Sequence, residues 1–197
     1  MPGPNAIRSV SRRLAALALA WPCACFAVGF VPPDTVEPRA PSPAAAFDAV
    51  FERVIGPASL DATTAAYEQD LDRLQRLLPP GDRARQVRFR SVFCDSTRWK
   101  DPDQGLAYSE QTLQMARAAG DRASEARSLL CRSAYLSLRD GSRHGLPDID
   151  RALAVLDKLD EPQLEGEALQ MRGDLRSLIG DQAQAMLDFQ RARAAFR

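Results

Sequence analysis

Histidine is nearly missing from this chain: His144 is the only one in 197 residues. It stands in Asp140-Gly141-Ser142-Arg143-His144 with no second histidine or cysteine at ligand spacing, so it reads as a solvated loop residue rather than a base or metal ligand. Lysine is almost as scarce, with Lys100 and Lys158 alone, and arginine carries nearly all the positive charge. The 26 basic residues balance 26 acidic ones and the arginines are scattered, which excludes the clustered basic footprint of a nucleic-acid binder. No segment sustains the apolar–polar alternation of a strand, and an all-α fold is expected. Acidic residues such as Asp148, Asp150, Asp174 and Asp188 recur at helical spacing, as they do on any charged helix surface. No nucleophile–base pair stands out. The expectation is a chain without catalysis of its own, without a metal and without a cofactor.

A long apolar run is also lacking. Leu14 to Phe26 is only 13 residues, short of the ~20 that a membrane-spanning helix needs. It follows Arg8, Arg12 and Arg13, and Ala27-Val28-Gly29 supplies small residues where a signal peptidase reads, so residues 1–29 are expected to be a signal peptide. Cleavage after Gly29 is the first choice and after Ala27 the second. The mature protein is expected in the periplasm, the alternative being an N-terminal membrane anchor facing the same compartment. Residues 30–43 hold five prolines and read as a linker.

From Ala44 onward the pattern is helical. A first helix runs from Ala44 to Val54 before Gly56, and Asp61 is placed to cap a second whose stripe is Tyr67, Leu71, Leu74 and Leu78. A third is expected from Arg83 to Trp99. Asp101-Pro102 opens a fourth that ends at Gly120, Asp121 caps a fifth that closes at Asp140-Gly141, and a sixth spans about Leu146 to Leu159. Glu161-Pro162 opens a seventh that ends at Gly180, and Asp181 caps the last. The sum is eight helices in four antiparallel pairs.

What the chain does have is self-similarity at a spacing of 40 residues. Gly105, Gly145 and Ala185 fall in register, as do Ser109, Ile149 and Phe189, and Asp148-x-x-Arg151-Ala152 returns as Asp188-x-x-Arg191-Ala192. Such a period is that of a solenoid, in which each hairpin buries its apolar stripe on its neighbours. Leu169-x-x-Arg172-Gly173-x-x-Arg176, Gly180-Asp181, Ala185-x-x-x-Phe189 and Ala192 resemble a tetratricopeptide repeat. Leu169, Arg172 and Arg176 replace its usual tryptophan, leucine and tyrosine, and the period exceeds the ~34 residues of the standard unit. The resemblance implies a right-handed solenoid with three such repeats in 81–197, preceded by an irregular hairpin in 44–80. It also implies a concave face lined by first helices, with Arg90, Thr97, Arg127, Ser137, Gln170, Asp174 and Ser177 as candidate binding residues.

Arg98-Trp99-Lys100-Asp101-Pro102, Gly105-Leu106-Ala107-Tyr108 and Gly173-Asp174-Leu175-Arg176-Ser177 resemble periplasmic sensor regions that precede diguanylate cyclase domains. That resemblance implies a recognition module for a protein, a peptide or a small periplasmic ligand. The alternative is a free-standing periplasmic adaptor. The membrane would enter only through the signal segment or a part C-terminal to Arg197. The final stripe of Met186, Phe189, Ala192 and Phe196 leads to the expectation of an incomplete array or of self-association there. Cys94 and Cys131 remain after signal removal, three positions apart in repeat register, and a disulfide between them is expected in an exported protein. Two buried thiols are the alternative.

Overall fold

The computed structural model describes residues 40–57, 62–94 and 98–197. The signal segment, most of the linker, Asp61 and Thr97 lie outside the described residues. The described residues form eight α-helices and no strand: α1 Pro43–Ile55, α2 Thr64–Leu77, α3 Arg83–Phe93, α4 Pro102–Ala119, α5 Arg122–Asp140, α6 Ser142–Leu156, α7 Pro162–Leu178 and α8 Gln182–Ala195.

Short polar side chains start most of these helices by satisfying amides that have no partner within the helix. Ser42, Thr63, Asp82, Asp101, Asp121 and Asp181 each accept from a backbone N–H of the first turn, at 3.0 to 3.3 Å. Gly120, at φ 69°, ends α4 in the left-handed conformation, and the Asp121 amide then donates back to the Ala116 carbonyl at 3.0 Å. Two ends differ from expectation. α3 stops at Phe93 instead of Trp99, because Trp99 leaves the helical path to pack on Tyr108 and Tyr135, with ring centroids 4.6 and 5.9 Å away. α6 begins at Ser142, before Leu146, and carries Pro147 inside its second turn, so His144 belongs to the exposed first turn of a helix.

Helices pack mainly on their chain neighbours, and α3 also reaches α5 and α1. One apolar core, in α1–α3, contains Phe47, Phe51, Leu71, Leu74 and Phe89; a second, in α4–α7, contains Leu113, Leu129, Ile149, Leu156 and Leu164. Glycines allow the closest helix approaches. A Cβ on Gly166 would lie 2.5 Å from the Phe196 ring and one on Gly173 2.5 Å from the Phe189 ring, while a Cβ on Gly105 would collide with Tyr135. Contacts between 166 and 196 and between 173 and 189 advance along α7 as they retreat along α8, so these two helices run antiparallel.

Buried charge is paired across the same helix interfaces. Asp148, 2% exposed, accepts from Arg132 Nε at 2.7 Å and Nη2 at 2.8 Å, joining α5 to α6. Asp188, also 2% exposed, accepts from Arg172 Nε at 3.0 Å and Nη2 at 2.7 Å, joining α7 to α8. The partners are 16 residues apart in both pairs. Each arginine also reaches an acid of the helix before its own, Glu110 at 4.0 Å for Arg132 and Asp150 at 2.8 Å for Arg172. Bidentate arginine–carboxylate geometry holds two planes in a fixed orientation as well as cancelling charge.

Candidate ligand-binding cleft

A cavity of about 290 Å³ opens where α1, α2, α3, α5 and α7 come together. Its apolar wall includes Val54 and Ile55 of α1, Val92 of α3, Leu130 and Ala134 of α5, and Leu164 and Met171 of α7. Cys94 and Cys131 form part of the wall and are joined as a disulfide, with Cα atoms 6.0 Å apart. The bond ties the chain just beyond α3 to the middle of α5, which fixes two sides of the cleft relative to each other.

Four polar side chains face this space, and two of them are already engaged. The Tyr67 hydroxyl donates to the Val92 carbonyl at 3.2 Å. Ser91 donates to the Arg88 carbonyl at 2.8 Å and lies 3.3 Å from the Ser124 hydroxyl. The other two, Arg127 and Glu167, keep most of their hydrogen-bonding capacity. The Arg127 side chain is only 12% exposed, makes no hydrogen bond among the described residues, and has its nearest carboxylate, Glu161, 3.9 Å away. Its guanidinium carbon lies 6.0 Å from the Phe51 ring centroid. Burial pulls its pKa below the usual arginine value, opposed by the charges of Glu161, Glu167, Asp121 and Glu52. Glu167 accepts one long bond, from Gln163 Nε2 at 3.3 Å to Oε1. Its side chain has open surface toward the cleft, yet the walls displace enough water to raise its pKa, against the pull of Gln163 and Arg127.

Of the described residues that the sequence points to for a concave face, only Arg127 lines this cleft. Arg90 lies between α3 and α4 instead, its guanidinium carbon 4.0 Å from the Tyr108 ring centroid and its Nε donating to Thr112 Oγ1 at 3.1 Å. Ser137 donates to the Ser133 carbonyl at 2.8 Å, and Ser177 lies 3.3 Å from Gln182 Oε1. Gln170 borders a shallower hollow against Phe189 and Ala192 of α8 and Phe196 just beyond it. Asp174 is exposed, with partial desolvation raising its pKa. Glu167 is absent from the sequence-derived set, although it stands 40 positions after Arg127. That register was the signal available to find it.

Among the described residues no group of His, Cys, Asp and Glu side chains could hold a metal ion, and no helix is long and apolar enough to cross a membrane. The cleft offers shape, an apolar wall and two charges of opposite sign. Those elements suit binding and orientation of a molecule. No protein-family model and no curated protein sequence matches this chain.

Proposed function

We propose that this chain is an extracytoplasmic recognition module, built as a tetratricopeptide-like solenoid of helical hairpins, that captures its ligand in the cleft beside Arg127 and Glu167. The observation that carries the reading is the cleft itself, a cavity walled by both apolar and polar groups in which two side chains of opposite charge keep most of their hydrogen-bonding capacity. The solenoid reading draws support from two equivalent ion pairs, Arg132–Asp148 and Arg172–Asp188, that stand 40 residues apart as the sequence repeat does. Export draws support from the basic and apolar N-terminal segment, with which a disulfide-bonded wall is compatible. By its resemblance to sensor regions, ligand occupancy would control synthesis of cyclic di-GMP by a cyclase domain across the membrane.

Two measurements test this. N-terminal sequencing of the exported product is expected to begin at Phe30. Native mass spectrometry of protein released gently from the periplasm is expected to show a bound molecule that an Ala134→Trp variant, with its cleft wall filled, does not retain. A product that keeps Met1 inside the cytoplasm, or the same excess of native over denatured mass in the two proteins, refutes the proposal. The link to the cyclase predicts that Ala134→Trp at the chromosomal locus changes cellular cyclic di-GMP; an unchanged level removes that part.

A further inference from the structure

The wall of the cleft restricts the chemistry of its occupant. A volume of about 290 Å³ equals that of about ten liquid water molecules, so the part of an occupant that the open cleft takes in has on the order of ten non-hydrogen atoms. Aliphatic side chains and Met171 form one part of the wall, against which burying an aliphatic or aromatic group is favourable, while polar atoms supply the larger share of the open surface. Tyr67 and Ser91 have their hydroxyl protons committed to backbone carbonyls. What is left is a planar cation on α5 whose N–H donors make no hydrogen bond among the described residues and whose nearest carboxylate there is Glu161 at 3.9 Å, and a carboxylate on α7 whose Oε2 accepts none from them. The guanidinium fork matches a carboxylate, and the carboxylate matches an ammonium group.

We infer that the cleft binds a free apolar α-amino acid, with its carboxylate on Arg127, its ammonium group on Glu167, and its side chain against Val54, Val92, Leu130 and Met171. This deepens the recognition reading and rests on it. Both charges of the ligand are used, which separates a free amino acid from the C-terminus of a peptide, where the nitrogen is an uncharged amide. The raised pKa of Glu167 agrees with a carboxylate that lacks a close cationic partner, and an ammonium group would supply one. Occupancy would also place a carboxylate closer to Arg127 than Glu161, now 3.9 Å away, and so offset the cost of burying that cation.

The test uses the purified full chain and L-leucine, L-isoleucine, L-valine, L-methionine and L-phenylalanine, read by thermal shift and by isothermal titration calorimetry. At least one is expected to raise the melting temperature and bind, and its N-acetyl and amide derivatives are each expected to bind at least about tenfold more weakly, since each loses a charge-assisted contact. Arg127→Gln and Glu167→Gln are expected to weaken the free amino acid by a similar factor. In Glu167→Gln the free and N-acetylated forms should bind alike, because the partner of the ammonium group is gone. Should a variant fail to fold, the ligand derivatives on the native protein still decide. The inference is overturned if no member of the panel binds, if the N-acetyl form binds as well as the free one, which would indicate a peptide C-terminus, or if folded variants keep full affinity. Failure of the panel while Ala134→Trp still loses its native-mass ligand overturns this assignment and leaves the recognition reading standing.

Discussion

Removing the Asp188 carboxylate probes the buried charge network more sharply than any other single change. In Asp188→Ala the Arg172 and Arg176 guanidiniums, 12% and 22% exposed, lose bonds of 3.0, 2.7 and 2.7 Å. Breaking a buried pair from one side costs about 3–5 kcal/mol, because an uncompensated charge is left behind. Arg172 keeps Asp150 at 2.8 Å, which places the expectation near the lower end, about 3 kcal/mol. For a folded body of this size that corresponds to a fall in melting temperature of roughly 6–12 °C. Urea denaturation followed by far-UV circular dichroism measures it, with the midpoint moving and the slope unchanged. Asp148→Ala should cost less, since one of its two arginines, Arg151, is 63% exposed and can turn to solvent. Replacing the pair together, as Arg172→Met with Asp188→Leu, should recover most of the loss. A loss under about 1 kcal/mol for Asp188→Ala would place the pair with ordinary surface salt bridges and refute the reasoning.

Other expectations follow from particular contacts. Reduction, or the double change Cys94→Ala with Cys131→Ala, should lower stability by ~4 kcal/mol from chain entropy for a separation of 37 residues. A non-reducing peptide map that lacks the Cys94–Cys131 fragment, or an unchanged melting temperature, counts against it. Gly173→Ala puts a methyl group 2.5 Å from the Phe189 ring and should cost about 1–3 kcal/mol by overpacking, with recovery in Gly173→Ala plus Phe189→Leu; equal urea midpoints for all three proteins would show that the helices can part freely. Two carboxylates should respond to pH with opposite sign. Asp70 is held below its ordinary pKa of 3.8 by the hydrogen bond from Arg53, so it stabilises the fold above that value and the benefit disappears as pH falls through the lowered pKa. Asp174 is raised above 3.8 by desolvation, so its cost is absent below 3.8 and complete only above the raised pKa. At neutral pH Asp70→Asn should therefore be less stable than the native protein and Asp174→Asn slightly more stable, with both differences vanishing in acid; equal shifts of the same sign would refute the assignment.

Helix content was legible because it is written in local chemistry. Asp121 and Asp181 announce helix starts, Gly120 and Gly180 announce ends with positive φ, and one-helix periodicity needs no knowledge of what lies across the core. Spacing also places Arg132 with Asp148 and Arg172 with Asp188 in equivalent registers, although nothing local says that these side chains meet. The placement of Arg90 shows where that reasoning stops. Forty residues before Arg132 and Asp148 the chain has Val92 and Tyr108. With an aromatic ring where the later helices hold a carboxylate, Arg90 turns onto the Tyr108 face and away from the cleft. Trp99 likewise leaves the helix for rings contributed by α4 and α5, a choice that only packing between separate helices creates.

The cleft was the least legible feature. Its walls come from α1, α2, α3, α5 and α7, between Val54 and Met171 of the chain, and sequence spacing relates positions within one helix or one repeat, not across five helices. Arg127 and Glu167 are ordinary charged residues in the sequence. Only the tertiary structure sets one beside Phe51 and leaves the other facing a cavity, because desolvation is set by every atom nearby and not only by neighbours in the chain. By itself the sequence determined the eight helices, most of their ends and the period at which similar residues return. The fold decided which of those returning residues have their bonds satisfied and which keep hydrogen-bonding capacity to spare.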